Sequence, residues 1–459
     1  MTKKKNTVFV CQECGYDSPK WAGQCICGAW NTMVEEKIAV ADEDDKRRRG
    51  AQTEKGMISK PSRITEISAD SYSRYDTGLG ELNRVLGGGL VRGSLTLISG
   101  EPGIGKSTII LQAAARIAPN YGKVLYVSGE ESIEQIKMRA DRICGKLPED
   151  VFVLSETNME NVAAAVDSLD PVFIIIDSIQ TMYTGDIDSA QGSVSQVRAC
   201  GNELMRIGKT KNIPVFITCH VTKSGELAGP KIIEHLVDCV LNFTGERDHE
   251  LRILRAFKNR YGTTSEIGAF EMAGEGLVEV ENLSKTFLDG IESGAEGSVA
   301  SAVYEGTRPL LLEVQALTSP ANVGFARRTA LGVELSRLNM ILAVLDRKAG
   351  ISLVNQDVYV NVVGGLKPEG TSTDLAVALA IYSTFKQKPC NGKTIVIGEI
   401  GLTGDLKSIQ NADKIVKEAA KLGFEKIVLP HKNALRLEKS HVKIVGAKNL
   451  REAIAAYPD

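Results

Sequence analysis

The stretch "SGEPGIGKSTIILQAAARIA", Ser99 to Ala118, decides the fold. Within it "GEPGIGKS", Gly100 to Ser107, matches G-x-x-x-x-G-K-[ST] at every fixed position. A strand-like run, "GSLTLIS", precedes the loop and a helical apolar pattern, "STIILQAAARIA", follows it, which is the context the motif requires. Glycines let the backbone curl until its N–H groups converge on an anion, and the helix N-terminus adds partial positive charge. Gly100, Glu101, Pro102, Gly103, Ile104, Gly105, Lys106, Ser107 and Thr108 are therefore expected to hold a nucleoside triphosphate. Lys106 would reach the outer phosphates and Ser107 a magnesium ion.

Such a loop works with a carboxylate on the metal side, at the end of another strand. "PVFIIIDSIQT" supplies Asp177 after a run of apolar residues. Hydrolysis of ATP also needs a group that orients the attacking water. "KVLYVSGEES" ends in Glu130 and Glu131, and this strand is expected beside the phosphate loop, with Glu130 facing the γ-phosphate. The alternative is that both acids cap the following helix, "SIEQIKMRA".

The 459 residues are too many for one core and imply two or three domains. With 43% hydrophobic and 24% charged residues the chain has the make-up of a soluble globular protein. No apolar run is long enough to span a bilayer and "MTKKKNTVFVCQECG" is not a secretory leader, so no membrane and a cytoplasmic location are expected. A net charge of -2 leaves room only for a local nucleic-acid-binding patch. From about Ser62 to Leu283 the runs "SLTLIS", "KVLYVS", "PVFIIID", "IPVFIT", "DCVLNF" and "LRILRAF" alternate with helical patterns, the signature of a mostly parallel sheet in an α/β fold. The boundaries are read as a cysteine module at 1–34, a charged linker at 35–61, an ATPase core at 62–285 and a second α/β domain at 290–459.

Cys11-x-x-Cys14, ten residues, then Cys25-x-Cys27 reads as a four-thiolate zinc site, with Trp21 and Trp30 packing around so small a module. The other five cysteines, Cys144, Cys200, Cys219, Cys239 and Cys390, lie among apolar neighbours and read as small buried hydrophobes.

Gly100–Ser107, "SGEES" (Ser128 to Ser132) and the Asp177 strand resemble the RecA-type ATPase core. "KNRYG" (Lys258 to Gly262) is similar to the signature of one branch, the RadA (Sms) family of bacterial DNA-repair proteins, with Tyr261 where that family carries Phe. "TGLGELNRVLGGGLVRGSLTLISGEPGIGKST", "HVTKSGELAGPKIIEHLVDCVL" and "EGTRPLLLEVQAL" resemble the same family, so the likeness spans essentially the whole chain. The family's second cysteine knuckle is C-x-x-C, and "CICG" here is one residue shorter.

The resemblance implies an ATP-driven motor of homologous recombination. It would be a homo-hexameric ring that takes single-stranded and branched DNA and drives branch migration alongside the recombinase RecA. Lys258 and Arg260, two apart and so facing one way, would act on the neighbouring subunit's nucleotide; a merely exposed basic strand end is the alternative. Two polar loops, Ser178 to Arg198 and His220 to Lys231, would line a channel in which Arg198, Lys223 and Lys231 meet DNA phosphates, and His220 would report nucleotide state or, alternatively, be a satisfied strand-end residue.

The C-terminal part resembles the proteolytic domain of Lon, whose dyad is Ser–Lys. Ser372 lies where the nucleophile would fall, but Asp413 stands at the lysine position, and Thr371 and Asp374 also depart from the protease pattern. A carboxylate cannot serve as the dyad's base, so a non-proteolytic scaffold is expected. Arg327, Arg328, Arg347 and Lys348 are its candidate DNA contacts. An ATP-dependent protease and a non-hydrolysing nucleotide-gated clamp are the rival readings.

Overall fold

The computed structural model describes residues 7–13, 16–37, 63, 65, 73–220, 232–245, 251–280, 282–288, 291, 294–321, 326–365, 367–368, 370–437 and 440–457. The chain divides into two compact units, Met1–Glu279 and Val280–Asp459.

The larger sheet of the first unit has nine strands. Six are parallel, in the spatial order Cys239–Thr244, Leu95–Gly100, Val215–His220, Phe173–Asp177, Val124–Ser128 and Val151–Ser155. Beyond Cys239–Thr244 the chain turns back on itself, and Leu251–Asn259, Ile267–Ala273 and Gly276–Glu279 extend the sheet antiparallel. Apolar residues fill both faces of the central strands, as the uninterrupted hydrophobic runs require. Phe173 and Ile175 face one core with Ile109, Ile110 and Ile117 of the helix Lys106–Tyr121. Ile174 and Ile176 face the other core with Val197, Cys200 and Leu204 of the helix Val194–Lys211.

The strand order corrects one expectation. Val124–Ser128 is not beside the phosphate-loop strand Leu95–Gly100; Val215–His220 and Phe173–Asp177 lie between them. The alternation of strands and helices along a chain does not fix the order in which the strands pair.

A separate three-stranded sheet, Asp17–Ser18, Thr7–Cys11 and Met33–Lys37, carries the cysteines. Trp21 and Trp30 do not pack into it. They are 57% and 68% exposed, and the small core is Cys11, Cys25 and Met33 with Phe9 beside them. A module centred on sulfur ligands has no room for two indoles.

The second unit holds a seven-stranded mixed sheet in the order Arg328–Leu331, Gln356–Val362, Arg308–Pro320, Ser298–Glu305, Thr394–Val396, Lys426–Pro430 and Lys443–Ala447. The helix Asp374–Lys386, apolar on nearly every side, is buried against it. Among the described residues no helix is long and apolar enough to cross a membrane.

Candidate functional site

The phosphate loop joins the end of Leu95–Gly100 to the helix Lys106–Tyr121. Gly105 needs its glycine twice over. Its φ is +117°, and a Cβ there would meet Met272 Cε at 3.0 Å and Leu277 Cδ1 at 3.1 Å. Around Gly103 there is open space. The helices that begin after Ser132, Asn158 and Ser193 are each capped by that residue's side chain, whereas the helix at Lys106 has no side-chain cap. The positive end of its dipole therefore faces the loop with no side chain capping it. Lys106 is 4% exposed and folds its ammonium across the loop, donating to the Gly100 and Glu101 carbonyls at 2.8 and 3.0 Å. Burial pulls its pKa below the ordinary lysine value, against the opposing charges of Asp177 and Glu130. An uncapped helix of 16 residues, a buried ammonium and glycine-made space fit a triphosphate with its magnesium. Ser107 and Thr108, both half-buried, open that helix.

Asp177 ends the strand Phe173–Asp177 and is almost fully buried. Both its oxygens carry donors: Thr218 Oγ1 to Oδ1 at 2.6 Å, and the Tyr126 hydroxyl to Oδ2. Burial, then the Asp177 charge, holds the Tyr126 phenol well above its ordinary pKa, which keeps it a donor. Glu130 and Glu131 have parted roles. Glu130 is exposed; its Oε1 accepts from Ser178 Oγ at 2.5 Å, and its charge acts on Lys106. Glu131 is held by Arg139, with Nη1 to Oε1 at 2.8 Å and Nη2 to Oε2 at 2.7 Å. Neither caps the next helix, because Ser132 and Gln135 form a capping box there. Glu130 thus lies beside the end of the Asp177 strand and acts on the loop's Lys106 by charge, although its own strand is not the loop's neighbour. Cys219, near Lys106, is pushed up to about 12 by burial and stays a thiol.

Lys258 and Arg260 lie at the other end of the sheet. Asn259 pairs with Cys239, which pairs with Thr96, and the Arg260 N–H bonds the Asp238 carbonyl. That places Arg260 level with the start of the strand whose far end is Gly100, roughly 17 Å away at the ordinary rise per residue. Asp238, 2% exposed, accepts from the Arg260 Nη1 at 3.3 Å, the Lys209 Nζ at 2.8 Å and the Leu95 N–H at 3.1 Å. Lys258 donates to the carbonyls of Glu234 (2.7 Å), His235 (3.3 Å) and Val237 (2.7 Å) at the C-terminus of the helix Ile232–Leu236. Burial, and then the Arg260 charge, lowers its pKa. So the two residues are not equivalent: Lys258 is spent on backbone carbonyls, and Arg260 stands 59% exposed.

The expected DNA contacts scatter. Arg198 is exposed but lies on the helix Val194–Lys211, not in the preceding loop, because Ser193 starts the helix. That loop is held by Gln196, 2% exposed, whose amide donates to the carbonyls of Thr184, Ile187 and Ser189. His220 ends its strand, and Lys223 and Lys231 lie outside the described residues. In the second unit the Arg328 guanidinium is consumed by the carbonyls of Arg327, Gln356 and Leu353, while Arg327 is exposed. Arg347 and Lys348 are exposed on the π-helical turn Leu345–Ala349. Ser372 Oγ faces the Ala302 carbonyl at 3.4 Å in a pocket shared with Tyr304, Thr371 and Asn411; Asp413 is exposed, and the adjacent Lys414 bonds the Tyr304 hydroxyl at 2.6 Å. Asp374 is buried in a two-pronged pair with Arg337 and accepts the Ile400 N–H.

In the cysteine module the sulfurs of Cys11, Cys25 and Cys27 all lie within 4.8 Å of one another, and those of Cys11 and Cys27 are 3.9 Å apart. A tetrahedral zinc with sulfur at about 2.3 Å has edges of about 3.8 Å, so the donors fit. Cys14 lies outside the described residues. The short second knuckle is accommodated by a turn, in which the Gly28 N–H closes onto the Cys25 carbonyl at 2.9 Å and Gly28 takes φ +93°. Chelation is expected to release zinc and unfold residues 7–37 while ATP hydrolysis survives. A colorimetric zinc assay run beside phosphate release checks this, and loss of both together would contradict it.

Fold and site together define a P-loop ATPase of the RecA-like class, with a zinc ribbon before it and a Lon-like α/β unit after it. Residues 60–226 match the family described as AAA domain, 9–35 the rubredoxin metal binding domain, and 325–433 subunit ChlI of Mg-chelatase. The chain is 50% identical to the DNA repair protein RadA of Bacillus subtilis over 453 residues, 98% of each chain. It is 48% identical to that of Listeria monocytogenes over 460 residues, 99% of each. A solved structure of the RadB recombinase aligns with 45% of this chain and 100% of its own, at 21% identity and a TM-score of 0.37. The chain belongs to the RadA family of DNA repair proteins.

Proposed function

We propose that this protein is a DNA-stimulated ATPase of homologous recombination and repair, working in the cytoplasm as a hexameric ring. It takes single-stranded and branched DNA and drives branch migration beside the recombinase RecA. Residues 62–285 form its motor, 1–34 its zinc module, 35–61 a linker and 290–459 a non-proteolytic scaffold. Lys106 and Ser107 hold the phosphates and magnesium, Asp177 orients the metal from its second side, and Glu130 orients the attacking water. ATP with its magnesium supplies the phosphoryl group that water displaces.

One observation carries the ring. The exposed Arg260 stands at the opposite end of the strands from its own phosphate loop, out of reach of that loop's nucleotide, which supports its serving a nucleotide held by another copy. The RadA names of the relatives support the setting in DNA repair. Two features favour the scaffold over the protease: Ser372 faces a carbonyl, and Arg337 locks Asp374 beside it. Phosphate release with ATP and magnesium is expected to rise several-fold on adding single-stranded DNA. No release above a Lys106→Ala control would leave the non-hydrolysing clamp.

A further inference from the structure

Three of the four links between the two acidic parts of the nucleotide site are made by side chains that no motif contains. Asp177 and Tyr126 lie on neighbouring strands, where Tyr126 pairs with Ile175 and Ser128 with Asp177. Tyr126 and Asp177 therefore share a face one diagonal step apart, a span that an aromatic ring can bridge. On the other side Ile217 pairs with Ile176, which brings Thr218 level with Asp177. The carboxylate is clasped by a hydroxyl from each flanking strand.

The Tyr126 oxygen in turn accepts from Arg139 Nη2 at 3.3 Å, and Arg139 holds both oxygens of Glu131. The next residue back, Glu130, is bonded by Ser178, the residue after Asp177. The result is a closed circuit: Asp177, Tyr126, Arg139, Glu131, Glu130, Ser178 and back to Asp177. Tyr126 is fully buried in an apolar cluster where phenylalanine would pack as well. Arg139 leaves its Nε buried without a partner. Interiors avoid both a buried hydroxyl and an orphaned guanidine N–H unless the polar groups do something packing cannot.

We infer that Tyr126, held by Arg139, is a positioning residue that fixes the Asp177 carboxylate toward magnesium and sets its spacing from Glu130. This rests on the reading of Asp177 as the metal-side carboxylate. It assigns Tyr126 no contact with the nucleotide; it acts through Asp177. Without the hydroxyl, Asp177 Oδ2 is unpartnered and its plane can turn about the bond that Thr218 still holds.

The test is the magnesium dependence of ATP hydrolysis by the full chain, at saturating ATP, for wild type, Tyr126→Phe, Arg139→Lys and Asp177→Asn. A fluorescent ATP analogue in EDTA measures nucleotide binding without metal. Tyr126→Phe is expected to raise half-saturating magnesium about tenfold, the worth of one hydrogen bond to a charged group. Metal-free nucleotide binding should not change, and kcat at high magnesium should largely recover. Arg139→Lys, which keeps the charge but loses the fork, should shift the same parameter in the same direction by less. An unchanged magnesium dependence in Tyr126→Phe, beside a strong defect in Asp177→Asn, overturns the positioning role alone. A normal magnesium dependence in Asp177→Asn overturns the parent reading as well. Thermal melts of each variant separate a packing defect, which lowers stability without moving the magnesium curve.

Discussion

Replacing Arg260 by alanine will lower ATP hydrolysis by the assembled protein about a thousandfold, the scale on which a cation supplied across an interface acts. Nucleotide binding will stay close to wild type. Arg260 lies level with the start of Leu95–Gly100, while the phosphate loop follows its end. Its loss cannot disturb the phosphate cradle of its own subunit. Nor does the fold depend on it, because Asp238 keeps Lys209 and the Leu95 N–H as partners. Lys258 is the less informative target. Its three bonds to the end of Ile232–Leu236 mean that alanine there disturbs this subunit's own structure too. Steady-state phosphate release and equilibrium nucleotide binding, measured on the same preparation, check the prediction.

The second large effect falls on Lys106. Alanine at that position will take hydrolysis down by about a thousandfold or more and weaken ATP binding as well, since in the proposed role the ammonium would face the phosphates before and during transfer. The fold should tolerate the change. Lys106 begins a helix, where alanine is favourable, and the buried Asp177 keeps the hydroxyls of Tyr126 and Thr218 as donors when the ammonium is gone. Phosphate release together with a thermal melt tests this. Full activity in a folded Lys106→Ala protein would remove the loop from the account.

Much of this site could be read from the chain because its parts are local. Eight consecutive residues carry the phosphate loop, and an acid closing four apolar residues marks Asp177. Tyr126 and Thr218 left no such signal, since they meet Asp177 only through the order of strands, and neither did Arg139, which reaches Tyr126 from the helix Ile133–Cys144. The same gap put Val124–Ser128 beside the loop when two strands intervene. Side-chain destinations were the other hidden quantity. Two tryptophans in a small module suggest a core, yet the sulfurs occupy that core and the indoles face water. Paired basic residues suggest a DNA contact at Arg327 and Arg328 and a contact with a neighbour's nucleotide at Lys258 and Arg260, yet Arg328 and Lys258 turn inward to backbone carbonyls while Arg327 and Arg260 stay outside. Charge is visible in a sequence; which carbonyls lack a donor is not. The buried Asp374–Arg337 pair is the converse case, a departure from the protease pattern that became legible once its partner, 37 residues away, was in place.

The sharing of one catalytic site between two copies is tested most directly by mixing. Lys106→Ala subunits have no working loop but offer Arg260, and Arg260→Ala subunits have the loop but lack the cation. Each alone should be inactive. Co-assembled in equal amounts, about a quarter of the interfaces pair an intact loop with an intact Arg260, so roughly that share of wild-type ATP hydrolysis should return. A mixture no more active than the sum of its two components, in assemblies shown to exchange subunits, would contradict the account.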